Sequence, residues 1–274
     1  MPTARIGDAT FHYVDAGAGR DAVLLLHAFP LSSSMWEPQV KALAGRFRVI
    51  APDYRGLGRS RPAPEAATME SIAADVLTLL RMLGVRQAAV AGCSMGGYVA
   101  FELYRRAPGL FRALCLVDTR PTPDTAEGRA GRETFARNAL EKGLSWVEED
   151  FVPKLLRPDP DPRALARVKE ILAEGTPEGV AAAQRGMALR RDSVPTLSRI
   201  EVPTLVIFGE RDQLMPLSDG QTMQAGVKGA RLAVIPGAGH LPNIEAPEAF
   251  NQALSSFFAA ATTAAPRPPG PFDD

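Results

Sequence analysis

A serine with a glycine two residues away on either side stands in Ala91-Gly-Cys-Ser-Met-Gly-Gly-Tyr98. A serine hydroxyl is a weak nucleophile until a base removes its proton and a third group orients that base. The chain has three histidines. His12 falls in a polar N-terminal strand and His27 at the end of a buried run. His240 lies in the glycine-rich Pro236-Gly-Ala-Gly-His-Leu-Pro242, just past the last strand signal. His240 is the expected base. For the acid, Phe208-Gly-Glu-Arg-Asp-Gln-Leu-Met-Pro216 offers Glu210 and Asp212. Asp212, farther into its loop, is preferred, with Asp118 as the rival from another strand end. The chemistry such residues could do is acyl transfer, in which Ser94 would attack a carbonyl, His240 would take its proton and later return it to the leaving group, and Asp212 would hold the imidazole.

Such a serine needs a sharp turn between a buried strand and a helix, with glycine where a side chain would collide. Gln87–Gly92 reads as that strand, and the helix runs to about Arg106. Further apolar runs at Ala22–Phe29, Arg48–Asp53, Leu114–Asp118, Pro203–Gly209 and Arg231–Pro236 read as strands. Thr68–Leu83 carries Ile72, Val76, Leu79, Leu80 and Leu83 on one helical stripe, with Gly84 placed to stop it. Strands alternating with helices predict a mostly parallel, doubly wound α/β sheet. Loops after parallel strands gather at one sheet edge, which would bring residues 94, 212 and 240 together.

The alternation breaks after Asp118. Gly131–Lys142, Ser145–Leu156, Pro162–Ala173 and Pro177–Arg190 read as helices, because a structureless loop of that length is uncommon. The expected organisation is a core of residues 1–120 and 196–261, a helical cap over 121–195, and a disordered Ala/Pro-rich tail over 262–274. A closing helix is expected at Pro247–Ala261.

Thirty-one basic residues balance thirty-one acidic ones in 274, so no electrostatic footprint for nucleic acid exists. No leader-length apolar run opens the chain and no membrane-spanning run follows. Two cysteines give neither a disulfide framework nor a zinc spacing. The expectation is a cytoplasmic protein acting on a small molecule, with no metal, organic cofactor, nucleic-acid or membrane partner.

Together these segments resemble the α/β-hydrolase family with a helical cap, from about Thr10 to Ala260. His27-Ala-Phe-Pro30 is similar to its oxyanion loop and Asp53-Tyr-Arg-Gly-Leu-Gly-Arg-Ser60 to its following turn. Gly209-Glu-Arg-Asp212 and Gly239-His240 are similar to its acid and base loops. Gly-Cys-Ser-Met-Gly-Gly-Tyr and Asp118-Thr-Arg120 most resemble bacterial esterases and 3-oxoadipate enol-lactonases. The resemblance implies a carboxylic-ester or lactone hydrolase with no cofactor, and oxyanion donors in the Phe29 and Met95 N–H groups. Enol-lactonase activity is the alternative, followed by C–C bond hydrolysis, perhydrolysis and ligand binding without turnover. Serine at 94 sets the chain apart from relatives that attack with a carboxylate. Ala28 departs from the usual glycine of the oxyanion loop, a change that alanine's small size should allow.

Trp146, Arg185, Met187 and Arg191 are candidates for contacting substrate. Arg185, Arg190 and Arg191 are nonetheless expected on a solvated face, over a neutral and mainly apolar pocket. Cys93 is expected to point into the core and Cys115 to pack there, while Trp36 fits either core or pocket.

Overall fold

The apolar runs lie side by side in one eight-stranded sheet of order β1-β2-β4-β3-β5-β6-β7-β8. In the computed structural model, which describes residues 2–264, these are β1 (Thr3–Ile6), β2 (Ala9–Ala16), β3 (Ala22–Leu26), β4 (Arg48–Pro52), β5 (Ala88–Cys93), β6 (Phe111–Val117), β7 (Thr204–Gly209) and β8 (Arg231–Ile235). β1 and β2 pair antiparallel at one edge, and the other six strands are parallel. Every residue of β5, β6 and β7 is buried, so helices must cover both faces there. Fully buried side chains such as Leu24, Leu25 and Leu26 each contribute roughly 1.5–3 kcal/mol.

Ten α-helices and three short 3₁₀ helices join these strands in the described chain. The α-helices are α1 (Glu37–Leu43), α2 (Met69–Met82), α3 (Met95–Arg106), α4 (Ala126–Asp150), α5 (Pro162–Leu172), α6 (Pro177–Ala188), α7 (Val194–Leu197), α8 (Leu217–Gly226), α9 (Pro242–Glu245) and α10 (Pro247–Ala264). The Thr68 hydroxyl caps α2 by accepting the Ser71 N–H at 3.1 Å, and Gly84, at φ 67°, ends it. α1 packs against α10, and α2 against α3. Among the described residues no helix is long and apolar enough to cross a membrane.

Between β6 and β7 the chain is helical, with α4 lying along α6. The two helices expected at Gly131–Lys142 and Ser145–Leu156 are instead one run from Ala126 to Asp150. It is broken only at Gly143, whose φ of 76° leaves the helical region. A separate 3₁₀ turn, Val152–Leu155, follows, with Pro153 in its first turn. α7 crosses the expected cap boundary at residue 195. Glu174, just past α5, ties this segment to the loop after β3 by accepting the Ser32 and Ser34 hydroxyls at 2.6 and 2.9 Å. Arg59 adds an ion pair to the same carboxylate at 3.0 Å. Of the tail expected at 262–274, Thr262 to Ala264 continue α10, and the rest lies outside the described residues.

Candidate active site

Ser94 joins β5 to α3 with φ 52° and ψ −114°, one of two non-glycine residues at positive φ among those described. The flanking glycines are required by contact. A Cβ on Gly92 would overlap the carbonyl oxygen of Gly96, and one on Gly96 the carbonyl oxygen of Leu26. Gly96 therefore lets the end of β3 approach the first turn of α3, which sets the His27–Phe29 loop beside Ser94. The backbone holds the turn, with Ser94 N–H donating to Val117 O at 2.8 Å and the Thr119 hydroxyl donating to Ser94 O at 2.8 Å. Ser94 is buried, 8 % exposed. Among the described residues the N–H groups of Phe29 and Met95 have no acceptor. Ala28 is not at positive φ, so alanine fits there without strain.

His240 follows β8 in the loop preceding α9, wholly buried, and its Nδ1 lies 2.8 Å from Asp212 Oδ2. That contact puts the proton on Nδ1 and leaves Nε2 as the acceptor. Nε2 is buried and has no partner among the described residues. The Cys93 thiol donates to His240 O at 3.9 Å, setting the histidine backbone against the residue before Ser94. Asp212 Oδ1 takes the N–H groups of Leu214 and Met215 at 2.7 and 3.2 Å. Burial pushes the Asp212 carboxyl up, but the His240 charge and hydrogen bond, with the Leu214 N–H, outweigh it and hold it below the usual range. Glu245 fixes the loop, accepting the Gly239 and Arg157 N–H groups at 2.6 and 2.9 Å. The sequence gives no sign of that role, because Arg157 is remote along the chain.

Asp118, the rival acid, ends β6 and binds the Gly209 N–H at 2.8 Å. Glu210 turns away, accepting the Gly237 N–H at 2.8 Å. Donor atoms of Asp118, Asp212 and His240 lie within 4.8 Å of one another, a spacing a cation could bridge. Here the imidazole Nδ1 is engaged by Asp212 and one Asp118 oxygen by Gly209. Burial drives the Cys93 thiol well above its ordinary value, which suits packing rather than reactivity.

His27 is fully buried, stacked on Tyr54 at 3.8 Å, accepting the Tyr54 N–H on Nε2 and donating from Nδ1 to Ala28 O. Burial lowers its pKa to about 4. The unfolded chain therefore binds more protons between about pH 6.5 and pH 4, and stability is lost as pH falls through that window. The loss from His27 should approach about 3 kcal/mol. Urea unfolding of wild type and His27→Gln at pH 7 and 4.5 checks this. The variant, weaker at pH 7, should lose less on acidification, and equal losses would refute it.

The four candidates for contacting substrate have different partners. Trp146 belongs to an aromatic cluster in which Phe29 meets Phe135 and Phe151 edge-on at 5.9 and 5.5 Å, and Phe135 meets Trp146 at 4.8 Å. Phe135, Trp146 and Phe151 are half-buried. Sequence reading passed over Phe135 and Phe151, whose spacing alone does not aim them at Phe29. Met187 is buried, with its sulfur 3.5 Å from the Arg132 guanidinium. Arg185 pairs with Glu133 at 3.1 Å on the surface, and Arg191 with Glu102 and Glu70 at 2.7 and 3.1 Å. Arg190 corrects an expectation. Read as solvated, it is buried instead, paired with Asp124 at 2.6 Å and 4.5 Å from the Tyr98 ring centroid. Trp36 is core.

Residues 21–247 match the profile described as the alpha/beta hydrolase fold. Two 3-oxoadipate enol-lactonases of Acinetobacter baylyi are 30 % and 29 % identical. The alignments cover 94 % and 91 % of this chain and 96 % and 93 % of theirs. A solved thermophilic esterase from Thermogutta terrifontis, with malate bound, superposes with TM-score 0.90 at 37 % identity, over 94 % of this chain and 96 % of that one. The enol-lactonase of Burkholderia xenovorans LB400 gives TM-score 0.86 at 28 % identity, over 94 % and 100 %.

Proposed function

The chain belongs to the alpha/beta hydrolase fold family, and from that premise we propose that it cleaves carboxylic esters or lactones through an acyl-enzyme formed on Ser94. The observation that carries this reading is the buried His240, one nitrogen held by Asp212 and the other unpartnered. In the proposed reaction Ser94 Oγ attacks the carbonyl as its proton passes to His240 Nε2. The imidazolium, stabilised by Asp212, then protonates the leaving group. Water repeats the sequence on the acyl-enzyme. The oxyanion is held by the N–H groups of Phe29 and Met95 at the start of α3, each worth roughly 3 kcal/mol. No step needs a metal or organic cofactor.

In this reading residues 121–195 are a cap that supplies one wall of the pocket. Phe29 carries an oxyanion donor, and its ring opens onto the cluster of Phe135, Trp146 and Phe151. The wall beside the reacting carbonyl is thus apolar. Arg185 and Arg191 bring their charges already neutralised by glutamates, which supports a preference for uncharged substrates.

Enol-lactonase activity is the second reading, favoured by the Acinetobacter and Burkholderia relatives. One experiment tests both. Chromogenic esters of graded acyl length, followed before steady state, should give a burst of leaving group equal to the enzyme present. Absence of turnover would point to a ligand-binding protein. A matched pair differing only in a terminal carboxylate should favour the uncharged member. Preference for the charged one, abolished by Arg185→Ala or Arg191→Ala, would instead support the enol-lactonase reading.

A further inference from the structure

Asp118 has no part in the chemistry above, yet it is wholly buried against it. It stands at φ 42° at the end of β6, beside the strand that delivers Ser94. Its Oδ1 accepts the Gly209 N–H, while Oδ2 is buried and receives no donor among the described residues. It faces Asp212 within the 4.8 Å cluster and makes a side-chain contact with it. Two adjacent carboxylates withdrawn from water do not both ionise. The donors decide which one keeps the proton. Asp212 receives three: Leu214 N–H, Met215 N–H and His240 Nδ1–H. Asp118 receives one. Two ionised carboxylates cannot donate to one another, so a proton on Asp118 Oδ2 gives that oxygen a partner in Asp212.

We propose that Asp118 is a neutral carboxylic acid whose Oδ2–H donates to Asp212, making it a positioning residue that aims Asp212 at His240 and limits the pair to one negative charge. This rests on reading Asp212 and His240 as orienting acid and base. A single charge matches the single positive charge that His240 gains in the reaction. Two would hold a proton on the resting imidazole and remove the base. Electrostatics agree: burial first, then the Asp212 charge, push the Asp118 carboxyl well up. Two guanidiniums stand nearby, Arg120 donating to Leu214 O at 2.8 Å and paired with Asp219, and Arg157 beside Glu245. Cys93 on β5 and Cys115 on β6 are thiols that burial pushes up. Glu245 of α9 is pushed up by burial, and Asp219 of α8 sits 3.4 Å from Arg120.

The test uses the full chain with Asp118→Asn and Asp118→Ala. Asparagine tolerates left-handed φ, accepts the Gly209 N–H and donates to Asp212, but never carries charge. With three histidines, the His240 ring can be followed by NMR whether or not turnover is seen. In Asp118→Asn its titration midpoint should stay within about half a pH unit of wild type. In Asp118→Ala it should rise by about half a unit or more, because Asp212 loses a donor, and the acid limb of kcat/KM should move with it. A protonated-carboxyl band in the infrared spectrum at neutral pH should vanish in Asp118→Asn. A fall of about one unit or more in Asp118→Asn would mean that Asp118 was ionised, and overturns the proposal. So does an unmoved midpoint in Asp118→Ala, or a spectrum without the band. If the alanine variant does not fold, the asparagine and infrared measurements still decide. Loss of the hydrolase reading would appear separately, as absent turnover with the titrations intact.

Discussion

Ser94→Ala should leave a folded chain whose ester hydrolysis falls about a million-fold, the loss expected when the nucleophile of a serine triad is removed. The bonds that hold the turn are made by the Ser94 backbone to Val117, Gly97 and Thr119, and alanine retains all of them. Thermal unfolding should therefore shift by no more than about 2 °C, since the change removes one hydroxyl and none of these bonds. Residual activity would come from the Phe29 and Met95 N–H groups acting on an attacking water. A variant keeping more than about a hundredth of the wild-type rate on several esters would remove Ser94 from the role of nucleophile, since intact triads do not tolerate that loss so lightly.

Asp212→Asn should be the next most damaging change, lowering kcat about ten-thousand-fold. The side chain is 1 % exposed and makes three hydrogen bonds, so its shape is needed, and asparagine keeps the shape. What it cannot keep is an acceptor at both positions: with its carbonyl oxygen taking the Leu214 and Met215 N–H groups, its NH2 faces His240 Nδ1. An amide N–H turned toward the ring moves the imidazole proton to Nε2 and abolishes the base. Parallel kinetics of Asp212→Asn and Asp118→Asn read the assignment directly. Should Asp118→Asn be the costlier of the two, the orienting acid is the one at the end of β6.

The parallel strands were legible because strands buried on both faces are apolar along nearly their whole length, as Ala22–Leu26 and, after its first threonine, Thr204–Gly209 are. The serine turn was legible because two of its glycines are enforced by backbone contact. The short α1 and α8 were not. α8 buries only Gly220 and Met223, too little to make a stripe. Boundaries in the segment between β6 and β7 slipped where Gly143 broke a helix without ending it. Long-range pairs were invisible for a different reason. Arg190 finds Asp124, and Glu174 finds Ser32 and Ser34, only after folding, and no periodicity marks such partners.

The two left-handed residues, Ser94 and Asp118, end neighbouring strands. A non-glycine residue held in a sparsely populated backbone region costs about 1–3 kcal/mol, against a net stability of about 5–15 kcal/mol for a whole domain. One corner of the sheet thus opposes folding while the rest of it drives folding. Among the described strands, β5, β6 and β7 are those buried along their whole length, and both strained residues are attached to that group. The most favourable part of the free-energy balance stands directly behind its least favourable part. Weakening the central sheet should then release the reactive corner first, so that activity would fade before the chain as a whole unfolds.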